Sequence, residues 1–529
     1  MTPGGLARPR LGAGIALVGI LLLALGLRLP LLVGRSLGYD ELQSLTHAAR
    51  GIPTGLLSAL LHDPHPPLYY ALLALWLRFG SSDAAVLALS LALSLASLVS
   101  IHHVARVRWG PRVAATAALA FALAPLALHW SAQARMYALV MLLAVWCFHF
   151  GSLLAAGSRR SSDWIGAVAS ELALLYSHVA APLFLACIFA SALPDLARRR
   201  DARRRWLGAQ ASVAAGALPC LFFLLKTGQE HARRPGLDDL AQALALFPIG
   251  IDPEPAWLVW PAAALFAALA LCAALRRGER AFALAFLALP FAAAAALSHA
   301  LRPVWIAPRL FAFAVPFFAI ALARLLVLPQ PGRAGSVGRA VAAATLALMV
   351  VGAIATSRAP VPSEGFAEVA ARVRREGLPA DLVVVPSLKE KWALAWYSMG
   401  PAWARGAVRE GSWATLRSLG RRPERRALLA ELARYGRDAS GEPFAIVPAD
   451  ALLPVELACA RRVWVVARSS GAAEALRLRI GARALRSARE GGQTLLLLET
   501  LTAGREENPA CERSGDRSWD PAARSARNP

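Results

Sequence analysis

Four short stretches of this chain hold residue types able to do acid–base or anion chemistry. Tyr39-Asp40-Glu41 sets two carboxylates side by side. His62-Asp63-Pro64-His65 precedes Pro66-Pro67-Leu68-Tyr69-Tyr70, Arg135 and Tyr137 follow Ser131-Ala132-Gln133-Ala134, and Arg302 and Arg309 bracket a segment ending in Ala307-Pro308. A carboxylate such as Asp40 can deprotonate an attacking hydroxyl or hold a cationic group. The plainer alternative is that it starts a helix, because Asp40 and Gln43 have capping-box spacing. His65 stands where a helix begins, and helix N-termini favour anions. Arg135, Arg302 and Arg309 each present a guanidinium, which grips phosphate oxygens at two points; an internal carboxylate or a lipid headgroup would serve each equally. His178, in Tyr176-Ser177-His178, adds a further imidazole, with Glu171 a nearby acid that must find a partner inside an apolar segment.

These residues need elements to carry them, and composition says which. The 529 residues are 57% hydrophobic and 17% charged, with a mean hydropathy of +0.48. That is too apolar for a soluble globular chain of this length. Apolar runs at about 11–33, 84–105, 113–129, 135–157, 163–177, 179–196, 207–226, 255–275, 281–300, 309–328 and 339–357 predict a polytopic α-helical membrane protein of about 11 spans. The net charge of +23 does not read as a nucleic-acid surface, since the arginines form no basic stripe interleaved with aromatics. They cluster instead on alternate loops: Arg8 and Arg10; Arg106 to Arg112; Arg159 and Arg160; six between Arg198 and Arg205; Arg276 to Arg280; Arg333 and Arg339. Positive loops stay inside, which predicts a cytoplasmic N-terminus and puts the four chemical stretches, the acids and isolated arginines included, on the opposite face. Leu68 to Phe79 is too short to span, so 65–80 is predicted as an interfacial or re-entrant helix, and Asp40 to Arg50 as an amphipathic helix along the membrane surface within the 34–80 outer segment. No cleavage site follows the first run, which reads as an anchor.

Beyond about residue 358 the chain becomes more charged. Apolar runs at 382–386, 444–447, 463–466 and 494–499 alternate with helical stretches at 365–376, 389–399 and 472–480, predicting a small α/β domain over 358–503 on the extracytoplasmic side. Residues 504–529 read as a disordered tail. Cys147, Cys187, Cys220 and Cys272 lie in or near apolar runs and read as packing residues, while Cys459 and Cys511 leave a disulfide open. No CxxC or HxxxH spacing argues for a metal, though the carboxylates leave room for a divalent ion.

The motifs taken together resemble a known family. Gly38-Tyr39-Asp40-Glu41, His65-Pro66-Pro67-Leu68-Tyr69-Tyr70, Ala134-Arg135-Met136-Tyr137, Tyr176-Ser177-His178 and Pro308-Arg309-Leu310, in this order over residues 11–330, are similar to those of bacterial relatives of protein O-mannosyltransferases and lipid A aminoarabinose transferases. These are polytopic glycosyltransferases of the C-type superfold. The resemblance implies transfer of a sugar from a polyprenyl-phosphate donor to a lipid, glycan or protein acceptor on the outer face of the bacterial plasma (inner) membrane, without a nucleotide sugar. It implies Asp40, with Glu41 beside it, as base or acceptor-positioning group, and His65, Arg135 and Arg309 at the donor phosphate. Tyr39, Asp63, Tyr69, Tyr137, His178 and Arg302 are further pocket candidates. Many relatives carry Glu two residues before the arginine where this chain has Gln133; if that Glu pairs with the arginine, Arg135 here is freer or differently oriented. The competing reading is a transporter or flippase of a lipid-linked saccharide. That would place polar residues deep in several spans, whereas the inner halves here are mostly Ala and Leu.

Overall fold

The computed structural model describes residues 8–221, 223, 232–251, 255–276, 278–301, 303–329, 332–358, 365–376, 382–385, 394, 396–397, 445–448, 462–467, 470–480, 483–490 and 493–499. The helices are α1 (Arg8–Arg28), α2 (Tyr39–Ala49), α3 (Thr54–His62), α4 (Leu68–Trp76), α5 (Asp83–Trp109), α6 (Pro111–Ala122), α7 (Pro125–Ser131), α8 (Tyr137–Ala155), α9 (Ser161–Leu175), α10 (Ala181–Arg198) and α11 (Arg200–Gly216). They continue as α12 (Leu237–Ile249), α13 (Val259–Leu275), α14 (Arg280–Ala300), α15 (Val315–Val327), α16 (Gly332–Arg358) and α17 (Phe366–Glu376). Contacts divide the chain into two units: Met1–Val33, Ala59–Leu72 and Ala84–Pro360 form the first, and Gly34–Ser58, Leu73–Asp83 and Val361–Pro529 the second.

The first unit is a helical bundle. Among the described residues, eight helices are long and apolar enough to cross a membrane, or nine if the bent pair α6–α7 is one span. This is fewer than the eleven predicted. The runs at 163–177 and 207–226 fall in α9, of 15 residues, and α11, of 17, both shorter than a full span. The arginines at the start of α11 and a 3₁₀ turn at Leu218–Cys220 leave little uninterrupted apolar helix there. Pro125 opens α7 after a 62° bend and, lacking an N–H, gives no hydrogen bond back to the end of α6. Arg28, fully buried, closes that gap: its guanidinium donates to the carbonyls of Ala122 (3.1 Å) and Phe121 (3.5 Å), to Ala24 O (3.1 Å) and to Ser94 Oγ (3.3 Å). A charge inside the bundle is thus held by backbone oxygens. Glu171 has its partner too, accepting from Gln210 Nε2 at 2.9 Å. The core is phenylalanine-rich, with Phe286 stacked on Phe317 and Phe184 on Phe313, each at 3.8 Å between ring centroids. Gly352 lets α16 approach closely; a Cβ there would lie 2.8 Å from Pro125 Cγ and from Pro248 O.

In the second unit, β1 (Leu382–Val385), β2 (Ala445–Pro448), β3 (Arg462–Ala467), α18 (Ser470–Ile480), β4 (Arg483–Glu490) and β5 (Gln493–Glu499) build a mixed sheet of order β2-β1-β3-β5-β4. β1 runs parallel to β2 and β3, while β3–β5 and β5–β4 are antiparallel, with a bulge at Ala484/Arg486. The four apolar runs singled out from sequence lie in β1, β2, β3 and β5; β4, RALRSARE, carries too little apolar pattern to announce itself. Most of 389–399, the 504–529 tail, Cys459 and Cys511 lie outside the described residues. Helix α2 belongs to this unit, and Glu41, Leu42, Ser44, Leu45, Thr46, His47 and Ala48 are all buried. Ser44 and Thr46 bond back to the carbonyls of Asp40 (3.1 Å) and Leu42 (2.8 Å), which lets hydroxyls sit inside.

Candidate active site: a cationic cluster and an acidic helix start

In the first unit, four connecting segments bring basic groups together. The α3–α4 turn supplies Asp63 and His65. Asp63, fully buried, accepts the His65 backbone N–H at Oδ1 (2.8 Å), and the Leu68 N–H donates to Tyr176 O (2.9 Å), tying the start of α4 to the end of α9. His65 and His178 consequently meet, with ring centroids 4.8 Å apart. His178 Nδ1 accepts the Ala180 N–H at 3.0 Å, which assigns the proton of the neutral ring to Nε2. The ring also stacks on Phe184 (5.7 Å, 26°), which stacks on Phe313. Phe313 belongs to the 3₁₀ turn Arg309–Ala314, so the same stack that holds His178 sets the start of that turn, where Arg309 stands half-buried.

Arg135, 3% exposed, lies just before α8, and its backbone N–H donates to Gln133 O at 2.7 Å. The Gln133 side chain turns to His129 (2.8 Å). Tyr137 packs on Trp130 at 3.9 Å and on His178 at 5.8 Å, and Tyr69 shares a hydrogen bond with Ser90 (3.3 Å).

The electrostatics follow from this crowding. Burial, then Arg135 and Arg309, pull His178 down to about 3. Burial, then His178, Arg135 and Arg309, hold His65 well below the ordinary histidine range. Burial and the neighbouring Asp63 push the Tyr70 hydroxyl well up, against Arg135. Two neutral imidazoles therefore stand among two guanidiniums, with His65 Nδ1 buried and lacking a hydrogen-bond partner among the described residues. A phosphate anion arriving there would oppose the guanidiniums' field on both rings and favour their protonated forms. The group is built to receive negative charge.

The second unit holds the acids. Helix α2 starts at Gly38 rather than at Asp40: Glu41, not Asp40, closes the helix end, its Oε2 accepting the Gly38 N–H at 2.7 Å. Arg35 grips the same carboxylate at two points, 3.0 and 2.5 Å. Glu41 is committed to that pair and to the cap, while Asp40, half-buried, is one residue earlier on the first turn of the helix. The Leu37 N–H donates to Tyr397 Oη (2.6 Å), whose own proton goes to Asp83 Oδ2 (3.0 Å), and burial with Asp83 pushes that hydroxyl up. Arg35, Asp83 and Tyr397 escaped the sequence reading. Arg35 was findable, being an isolated arginine on a loop otherwise poor in basic residues; Tyr397 lies 360 residues from Leu37 and left no local sign. Arg302 and the side chain of His62 lie outside the described residues. Among the described residues, no three His, Cys, Asp or Glu side chains form a metal-sized group.

Residues 64–224 match the model of the dolichyl-phosphate-mannose-protein mannosyltransferase family. The fold is similar to that of ArnT from Cupriavidus metallidurans in the apo state, with 12% identity over 91% of this chain and 97% of that one and a TM-score of 0.56. It is likewise similar to the same protein bound to undecaprenyl phosphate, at 14% identity, the same coverage and a TM-score of 0.55. A comparison with curated protein sequences gives no match. The family pattern over residues 64–224 and the ArnT-like fold make the chain similar to membrane glycosyltransferases.

Proposed function

We propose that this chain transfers a sugar from a polyprenyl-phosphate donor to an acceptor hydroxyl at the extracytoplasmic face of the bacterial plasma membrane. The observation that carries the reading is the convergence of His65, His178, Arg135 and Arg309 in the first unit. The step is a single displacement. The acceptor oxygen bonds to the anomeric carbon as the bond from that carbon to the phosphate oxygen breaks. Asp40 takes the acceptor proton, and polyprenyl phosphate leaves with the bonding pair. Arg135, Arg309 and His65 oppose the charge that develops on the leaving phosphate, the kind of preorganised stabilisation that lowers such barriers most. His178 and Tyr137 hold His65 and the loop in place. Glu41 keeps Arg35 and the helix start in order so that Asp40 is presented.

The arrangement that fits this chemistry has residues 1–357 as the membrane domain, with 34–80 as its outer segment, 358–503 as an extracytoplasmic α/β domain and 504–529 as a tail. It counts α9 and α11, extended by their flanking residues, as two of eleven spans and keeps the N-terminus in the cytoplasm. The test is to incubate the purified protein with radiolabelled polyprenyl-phosphate sugars and lipid, glycan or protein acceptors. Labelled acceptor is the expected product. Donor that crosses liposomes without any product would instead identify a flippase.

A further inference from the structure

The loop arginines between Arg159 and Arg205 do more than mark a side of the membrane. At the ends of α8, α9 and α10 opposite to His65 and His178, Gly157, Arg159, Arg199, Arg200, Asp201 and Arg205 line a cleft of about 350 Å³. Four guanidiniums face it against one carboxylate. Asp201 stands 3.8 Å from Arg159, but both side chains are 83% exposed, so that pair is screened by water and binds neither firmly. Two of the arginines are held in place by backbone. Arg199 Nη1 donates to Ala156 O (3.0 Å) and Arg205 Nη2 to Arg160 O (3.5 Å), so each guanidinium is oriented while keeping other N–H groups. Gly157, at φ +93°, makes the turn that presents the Ala156 carbonyl. Arg205 Nε is buried with no hydrogen-bond partner among the described residues. The 17-residue helix α11 begins at this cleft with Arg199 at its N-cap and no side chain capping it, so its first-turn N–H groups and dipole add to the positive field. Both α8 and α10 are long and apolar enough to cross a membrane, which sets the cleft at the depth of lipid headgroups.

We propose that this cleft is a binding site for a phosphate group, carried either by the headgroup of an acidic phospholipid or by a soluble polyphosphate. Unlike the transfer reaction, the proposal needs neither Asp40 nor the cationic cluster, so the two stand or fall separately. The whole protein in detergent would be exposed to phosphatidylglycerol, to phosphatidylcholine and to inorganic pyrophosphate, with retained lipid read by native mass spectrometry and pyrophosphate by thermal shift. Retention of phosphatidylglycerol over phosphatidylcholine assigns the headgroup; a shift with pyrophosphate alone assigns the soluble ligand. Either signal should fall about tenfold or more in the double variant Arg199→Gln/Arg205→Gln, which removes the two backbone-oriented guanidiniums. The double variant Arg199→Lys/Arg205→Lys, which keeps the charge, should restore most of it and show that loss is not misfolding. The pair Arg106→Gln/Arg112→Gln removes two arginines of another loop and should leave it unchanged. Equal loss in both glutamine pairs, or no preference for any phosphate ligand over phosphatidylcholine, would overturn the proposal.

Discussion

Two histidines within 4.8 Å of each other, beside Arg135 and Arg309, make the cationic cluster sensitive to proton concentration. The folded protein holds both rings neutral, with His178 near 3, whereas the unfolded chain protonates them at the ordinary value near 6.5. Below that ordinary value the unfolded state binds more protons. Stability should therefore fall as pH drops from about 6.5 toward 3 and be flat above, with a slope of up to about 1.4 kcal/mol per pH unit for each ring. Thermal unfolding in detergent at pH 7.5, 6 and 5 checks this; the variant His178→Phe, whose ring can keep the stack on Phe184, should show a shallower fall. A bound polyprenyl phosphate should also flatten it, because the anion favours the protonated rings. At the other end of the reaction, Arg35→Ala should remove the two-point grip on the Glu41 carboxylate that caps Gly38 and weaken transfer by misplacing the start of α2. Restoration by Arg35→Lys would be partial, since lysine lacks the two-point grip.

Each element that positions these residues owes its course to a few local features. The bent pair α6–α7 is one: Pro125 breaks the helix and Arg28 donates to the carbonyls of Phe121 and Ala122. Arg28→Leu should cost about 1–3 kcal/mol, because it takes from the buried Ala122 carbonyl its side-chain donor, and purified yield with unfolding temperature would show it. Gly352→Leu should act through sterics, pushing α16 off Pro125 and Pro248. Legibility in the sequence followed the same line. His65 before a proline pair, Arg135 before an apolar run and Arg309 after Ala307-Pro308 could each be picked out one loop at a time. What brings them together could not, because the Leu68–Tyr176 bond and the Phe184–Phe313 stack join residues over a hundred positions apart. The helix start differs from the Asp40 alternative for a local reason: Asp40 has the right spacing to Gln43, but Gly38 takes the N-cap position and Glu41 the reciprocal bond, with Arg35 bound to the same carboxylate.

For the molecule as a whole, apolar runs and alternating arginines made a polytopic helical protein plain, and the fold is similar to that of ArnT. The span count was less legible, since hydropathy alone does not tell a short packed helix such as α9 from a crossing one. Cysteine accessibility in intact cells should label Arg159→Cys only from the cytoplasm and Arg233→Cys only from outside if the proposed topology holds. The most direct test of the central claim separates binding from chemistry. Polyprenyl-phosphate retention and sugar transfer would be measured side by side for the wild type, Arg135→Gln and Asp40→Asn. The account predicts that Arg135→Gln loses both, with transfer down about 10²–10³-fold, while Asp40→Asn keeps the lipid and loses about 10²–10⁴-fold in transfer. An Arg135→Gln variant that retains the lipid and transfers like the wild type, or an Asp40→Asn variant of full activity, would contradict it.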